Sequence, residues 1–109
     1  MNWPARIWVL SEKGQFEEAE FVGHDEVAGV DVGIYQTPDG EGHPRDIGGA
    51  QRAQNRDAEA RWRAMLLGAR ISNLTAEIGR GVIDTRATES ALKQAAALLQ
   101  HFQRDRGLQ

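Results

Sequence analysis

Cysteine is absent from the 109 residues. Its absence excludes disulfide bonds, thiolate zinc sites and cysteine nucleophiles. Histidine is scarce as well, and His24, His43 and His101 do not share the spacing of metal ligands on a helix. No serine stands in the strand–turn–helix context of a hydrolase nucleophile. The sequence therefore predicts no metal site, no cofactor and no enzymatic activity.

Long apolar runs are also missing. Residues 1–10 contain no apolar stretch of signal-peptide length, and no later segment reaches the length of a membrane span. We therefore expect a soluble, cytoplasmic protein without a membrane partner. Aromatic residues make up only 6% of a short chain, so its core is modest and association into a homo-oligomer, from dimer to hexamer, is expected.

Charge is unevenly distributed along the chain. Residues 1–48 contain ten acidic and three basic side chains, a balance of −7, whereas residues 49–109 contain six acidic and ten basic ones, a balance of +4. Nine of those ten cations are arginine, whose planar guanidinium binds phosphate or carboxylate through paired hydrogen bonds. The second half is thus suited to an anionic partner, although solvated helix faces explain the same arginines without a ligand. Direct DNA binding is not expected at a net charge of −3.

Three segments of the first half have strand-like patterns. Arg6–Leu10 contains β-branched and aromatic residues, and the following Gly14 suits a tight turn. In Phe16–Val22 and Val30–Tyr35, polar and apolar residues tend to alternate, and a connection between them is predicted over Gly23–Gly29. In the third strand, alternate residues are assigned to opposite faces: Val30, Val32 and Ile34 inward, and Asp31, Gly33 and Tyr35 outward.

The second half has the patterns of helices. Glycine and proline predict a loop over residues 38–49, and one long amphipathic helix is predicted from Ala50 to Ile78. Gly79-Arg80-Gly81 is typical of a glycine C-cap, and Asp84 or Thr85 is expected to cap a second helix.

The expected fold class is α+β, with an N-terminal three-stranded antiparallel β-meander followed by a long two-helix antiparallel hairpin. It is predicted as a single domain over residues 1–109, divided into a β part (1–37), a linker loop (38–49) and the helical hairpin (50–106).

Candidate ligand-binding residues concentrate around the hairpin. The exposed amides of a helix N-terminus attract anions, and nearby arginines add charged forks. Six residues are predicted to bind a phosphate-bearing ligand: Arg63, Arg80 and Arg86 of the hairpin, His43 and Arg45 of the loop, and Trp62 as a stacking aromatic. Ordinary packing of Trp62 is the alternative interpretation.

The second helix and its surroundings carry a family resemblance. Residues 83–92, Ile-Asp-Thr-Arg-Ala-Thr-Glu-Ser-Ala-Leu, follow a helix containing Arg61-Trp62-Arg63 and Ala69. This arrangement resembles the helical hairpin domain of phage proteins that counter Thoeris and CBASS immunity. Lys13-Gly14-Gln15-Phe16 and Val30-Asp31-Val32 look like the N-terminal β part of the anti-Thoeris branch.

The resemblance implies an oligomeric sponge that sequesters a cyclic nucleotide or a cyclic ADP-ribose type signal without cleaving it, in the host cytoplasm. Two other functions fit the composition. The acidic first half is suited to a protein–protein inhibitor such as an anti-CRISPR, which covers a basic nucleic-acid channel. The hairpin alone is suited to a structural adaptor that assembles oligomers.

Overall fold

The computed structural model describes residues 2–105, which form four strands and three helices. The strands are β1 (Arg6–Leu10), β2 (Phe16–Val27), β3 (Val30–Gln36) and β4 (Gly42–Arg45), and the helices are α1 (Ile47–Arg52), α2 (Arg56–Gly79) and α3 (Thr85–Asp105). The strands form one antiparallel sheet in the order β1-β2-β3-β4. The predicted α+β class is confirmed, but the three-stranded meander is wrong because the sheet has a fourth strand.

The additional strand lies inside the predicted linker loop. Gly42–Arg45 pairs antiparallel with β3, with Pro44 opposite Ile34. Proline lacks the backbone N–H that a central strand needs to hydrogen-bond with both of its neighbours. An edge strand has only one neighbour, so proline is tolerated there. Asp46 then caps α1 by accepting a hydrogen bond from the Gly49 N–H at 2.7 Å. The prediction of an irregular loop over residues 38–49 is therefore wrong from Gly42 onward.

The hairpin between β2 and β3 is longer than predicted. β2 continues through a register irregularity between Phe21 and Gly23, and the strands stay paired as far as Val27 opposite Val30. Ala28 and Gly29 both have positive φ, at 52° and 79°, as a two-residue type I′ turn requires. The predicted connection over Gly23–Gly29 is therefore wrong: Val22 is the extra residue of a bulge, Gly23 pairs opposite Ile34, and only Ala28 and Gly29 form the turn.

The core of the sheet lies on one face. Its buried residues are Ile7, Val9, Ala19, Tyr35, Ala50 and Ala53, and Trp3 and Phe21 pack against them. Tyr35 is fully buried, and its hydroxyl donates to the carbonyl oxygen of Pro4 at 2.7 Å, which satisfies the polar group inside the core. The prediction that Tyr35 faces outward is therefore wrong.

The predicted long helix over residues 50–78 is interrupted. α1 ends at Arg52, and Asn55 caps α2 by accepting a hydrogen bond from the Ala58 N–H at 2.9 Å. The carbonyl of Ala53, at the break, accepts a hydrogen bond from the Trp8 N–H at 2.7 Å. The break thus supplies an acceptor to strand β1 at the edge of the sheet.

Within residues 2–105, contacts separate the chain into two compact units. The first, residues 2–9 and 16–59, contains the sheet and α1; the second, residues 10–15 and 60–105, contains the β1–β2 connection and most of the hairpin. In the second unit, the Arg61 guanidinium lies 5.9 Å from the centroid of the Phe102 ring. The start of α2 is therefore beside the end of α3, as in an antiparallel hairpin. The single-domain organisation stays a prediction.

Candidate functional site

The tip of the hairpin carries Arg80 and Arg86, two of the predicted ligand residues, and both side chains are exposed. The Val82 N–H donates to the Glu77 carbonyl, and the Gly81 N–H to the Ile78 carbonyl, both at 2.9 Å. With Gly81 at a φ of 83°, these two bonds form a Schellman motif. The predicted glycine C-cap is therefore confirmed.

The N-terminus of α3 is capped by a carboxylate. Asp84 accepts a hydrogen bond from the Ala87 N–H at 3.0 Å, so of the two predicted capping residues Asp84 is the one that acts. Its negative charge lies where the helix dipole favours an anion. Because Asp84 already accepts the hydrogen bond of the Ala87 N–H, that amide is not available to a bound anion.

A cleft on one side of the hairpin contains Arg63, the third predicted ligand residue of the second unit. It encloses about 180 Å³, and its lining consists of Leu10, Arg63, Leu66, Leu67, Arg70 and Gln94. Arg63 and Arg70 are seven residues apart on α2, or about two helical turns, and therefore project to the same side. Both are half-buried. The cleft therefore combines two guanidinium groups, one amide and an apolar wall.

Close packing of the β1–β2 connection against α3 forms part of this region. Gly14 has a φ of 80°, and a Cβ at this position would lie 2.7 Å from the Lys93 carbonyl oxygen. Only glycine fits both the conformation and the close approach. The connection also contains Leu10, which is buried and lines the cleft.

Sequence reasoning identified Arg63 but missed Arg70 and Gln94. The seven-residue spacing of the two arginines was a usable signal, because it predicts a common helix face. Gln94 had no such signal, since only the antiparallel packing of α3 on α2 brings it to the cleft.

His43 and Arg45, predicted on a loop, lie on β4 in the first unit, whereas the hairpin arginines belong to the second. His43 Nε2 is 2.7 Å from a carboxylate oxygen of Glu41. Arg45 lies 3.6 Å from the carboxylate of Glu59. Both side chains therefore have acidic partners within their own unit.

Glu59 forms a buried charge cluster that the sequence did not indicate. Its carboxylate is fully buried and lies between Arg45, at 3.6 Å, and Arg52, at 3.9 Å. Two arginines around one carboxylate offset the desolvation cost of burying the charge. The cluster connects β4, α1 and the first turn of α2.

Trp62 is half-buried on α2, next to Arg63 in the sequence. Consecutive helical residues point about 100° apart, so Trp62 and Arg63 project in different directions. The lining of the Arg63 cleft does not include the Trp62 ring.

The sheet has a larger, acidic cavity of about 450 Å³ in the first unit. Its lining consists of Arg6, Glu18, Glu20, Val22, Gln36, Thr37 and Pro38. The Arg6 guanidinium lies 3.7 Å from the carboxylates of both Glu18 and Glu20. Two carboxylates against one arginine repel a phosphate and favour a cationic partner.

Among residues 2–105, no cluster of three or more acidic or histidine side chains is arranged to hold a metal ion. No helix in that range combines the length and the apolar character that crossing a membrane requires. Comparisons of the chain with protein-family models, with curated proteins and with solved structures find no match. The function is therefore inferred from the geometry of the chain's own residues.

Proposed function

We propose that the protein binds a small phosphorylated signalling molecule and sequesters it without changing it chemically. The observation that carries this proposal is the pair of half-buried arginines, Arg63 and Arg70, in one cleft of the hairpin. Guanidinium groups bind phosphate oxygens through paired, charge-assisted hydrogen bonds. Two of them on one helix face are suited to a single phosphate group.

The surroundings of the two arginines favour the same interpretation. Gln94 adds an amide that can donate a hydrogen bond to phosphate, and Leu66 and Leu67 supply apolar surface. A lower local dielectric strengthens the attraction between guanidinium and phosphate. None of these side chains is a base or a nucleophile at neutral pH, because arginine stays protonated and glutamine does not ionise. Binding without turnover is therefore the chemistry that these residues support.

The size of the cleft limits what it can enclose. Its volume of about 180 Å³ is smaller than the roughly 300–1,000 Å³ of pockets that enclose whole drug-sized ligands. It therefore accommodates a phosphate group, while the rest of the ligand extends along the hairpin surface.

A cyclic nucleotide or a cyclic ADP-ribose type molecule is the ligand class that we propose. Such molecules carry phosphates, and the resemblance of residues 83–92 to the hairpin of anti-Thoeris and anti-CBASS proteins favours them. In this proposal the protein is a phage-type immune evasion sponge, and it acts by lowering the free concentration of the signal.

Isothermal titration calorimetry with cyclic dinucleotides, cyclic trinucleotides and cyclic ADP-ribose isomers tests the proposal. We expect one of these classes to bind, and we expect Arg63→Gln/Arg70→Gln to weaken its binding at least tenfold. A charge-assisted hydrogen bond contributes about 1.5–3 kcal/mol, and 1.4 kcal/mol corresponds to tenfold. The matched control is Arg80→Gln/Arg86→Gln, which removes the same charge from the exposed tip.

Three results would contradict the proposal. Absence of binding across the whole panel would remove the ligand class, and loss of binding in the tip variant alone would move the site to the hairpin turn. Chromatography of the bound molecule after long incubation should recover it unchanged, so a hydrolysed product would refute sequestration.

The acidic sheet supports a second candidate function. Exposed carboxylates at Glu18 and Glu20 flank the larger cavity and suit a basic protein surface, as in an inhibitor that covers a nucleic-acid channel. A partner recovered from lysate should then dissociate with added salt and should be lost with Glu18→Gln/Glu20→Gln. Unaltered recovery with that variant would exclude the acidic sheet as the binding surface.

A further inference from the structure

Helix α3 carries two neighbouring apolar stripes of different exposure. Ala91 and Leu98 are buried against the rest of the protein. Leu92 directly follows Ala91, and Leu99 directly follows Leu98. The exposed fraction is nevertheless 64% for Leu92 and 59% for Leu99. Together with Ala95 between them, they have the alternating three- and four-residue spacing of helices that pack side by side. α3 therefore has an apolar surface beyond the one that its own chain covers.

Helix α2 repeats the pattern. Leu67 is buried, whereas Ile71 and Ile78 are 39% and 47% exposed. Gly68, Ile71 and Thr75 continue the same three- and four-residue spacing towards Ile78.

The two exposed stripes lie on the same side of the hairpin. Gly68 on α2 and Leu99 on α3 each follow a buried leucine and are turned from it by about 100° in the same rotational sense. Because α2 and α3 run antiparallel, equal rotations of both helices lead to one common side. Arg61, over the Phe102 ring, lies on that side, whereas the cleft residues Arg63 and Gln94 lie on the opposite one.

We refer to this surface as the open face. It consists of Ala64, Gly68, Ile71, Thr75 and Ile78 of α2, and Thr88, Leu92, Ala95, Leu99 and Phe102 of α3. None of these ten residues is charged. Seven of them have apolar side chains. Arg61 of α2 lies beside Phe102 of α3, and Gly68 and Ala95 are each seven residues from that contact, so these two small residues lie at the same level of the hairpin.

The dimensions of the open face approach those of a small protein interface. The open face spans residues 64–78 and 88–102, about 22 Å along each helix, and two helices of about 10 Å diameter give a width of about 20 Å. The projected area is therefore about 450 Å², and the relief of the side chains raises the accessible area above this value. A stable protein–protein interface buries about 800 Å² on each partner.

We propose that the open face docks against the open face of a second copy of this chain and forms a two-fold, four-helix dimer. A two-fold contact needs a surface that is complementary to itself, and ten uncharged residues with a narrow waist at Gly68 and Ala95 and with Arg61 at the rim satisfy this requirement. Amphipathic helices that bind membranes instead flank their apolar face with lysine and arginine. The cleft of Arg63 and Arg70 remains on the outer side of each copy, so the proposal is independent of ligand binding.

Analytical ultracentrifugation and light scattering across a concentration series test the dimer. We expect the wild-type protein to reach twice the 12.1 kDa mass of one chain. Leu92→Glu/Leu99→Glu should weaken association at least about 30-fold, the effect of losing an interface hot spot. Leu66→Glu is the control, because Leu66 is an exposed leucine on the cleft side of the same hairpin.

Circular dichroism separates dissociation from unfolding: the Leu92→Glu/Leu99→Glu variant should keep the wild-type spectrum, since both leucines are already solvent-exposed in one copy. A wild-type mass of one chain at every concentration would overturn the proposal. So would a dimer that survives Leu92→Glu/Leu99→Glu, or one that Leu66→Glu dissociates. A monomer that binds lipid vesicles through Leu92 and Leu99 would assign the open face to a membrane and would likewise overturn it.

Discussion

The carboxylate of Glu59 lies 3.6 Å from the guanidinium of Arg45, and no part of the Glu59 side chain is exposed to solvent. Arg45 ends the edge strand β4, and Glu59 belongs to the first turn of α2. The pair therefore holds the start of α2 against the edge of the sheet, and Arg52 of α1 completes its charge balance at 3.9 Å.

Replacing Glu59 with alanine should lower the free energy of unfolding by about 3–5 kcal/mol, because Arg45 and Arg52 would lose their buried counter-charge. Urea denaturation followed by circular dichroism measures the change. Glu89→Ala, on the exposed side of α3, is the control and should change the same quantity by no more than about 0.5 kcal/mol. Equal effects of the two substitutions would show that the Glu59 cluster does not stabilise the fold.

Tyr35 should make the fold sensitive to alkaline pH. Burial raises the pKa of the Tyr35 hydroxyl above its usual value of 10.0. The folded protein therefore retains this proton at a pH where the unfolded chain has lost it, and stability is complete below about pH 10 and falls as the pH rises above it.

Tyr35 is the only tyrosine, so the ultraviolet difference absorbance of tyrosinate reports on it alone. We expect its titration in the folded protein to lie above that of the urea-unfolded chain. In Tyr35→Phe, melting temperatures should decrease less between pH 9 and 11 than in the wild type, a window set by the usual tyrosine pKa of about 10. Coincident titrations of the folded and unfolded protein would contradict the burial of the hydroxyl.

Gly33 should not tolerate a side chain. A Cβ at this position would lie 2.7 Å from Cε3 of Trp3 and 3.1 Å from Cε1 of Tyr35. Gly33→Ala should therefore lower the free energy of unfolding by about 1–3 kcal/mol, as overpacking of a core does. Gly42→Ala is the matched control on the paired strand β4, because a Cβ there meets nothing within 4 Å. A larger loss of stability in Gly42→Ala would refute the packing of Trp3 over Gly33.

Substitution by alanine of two nearby glycines at the end of α2 should change stability in opposite directions. Gly81 has a φ of 83°, so Gly81→Ala should cost about 1–2 kcal/mol of stability through left-handed strain. Gly79 is helical and open to solvent, so Gly79→Ala should raise stability by up to about 1 kcal/mol. Thermal unfolding of the two variants measures both changes, and shifts of the same sign would contradict the Schellman cap.

Local patterns were sufficient for most of the helical hairpin. Apolar spacing predicted helix over the residues of α2 and α3, without the break before Arg56, and the glycine pair predicted where α2 ends. Arg63 was identified because helical spacing and the chemistry of arginine are both known from the sequence, before the fold is known. Arg70 shares its helix face and could have been found in the same way.

The parts that sequence reasoning missed depend on contacts between distant residues. The sequence pattern placed Pro44 in a loop, whereas in the structure its strand pairs with β3. The pattern placed Tyr35 on the exposed face, whereas in the structure its hydroxyl donates to the carbonyl of Pro4. Glu59 carries no local sign that two arginines will surround it.

The α+β class, the glycine cap of α2 and the apolar stripes of α2 and α3 follow from local sequence, because backbone conformation and helical periodicity are local properties. Long-range packing decides which carboxylate is buried, which arginines share a cleft with Gln94 and which apolar stripe remains uncovered. Those outcomes depend on the direction in which one element packs against another, and that direction is set by the sum of many weak contacts between residues far apart in the chain.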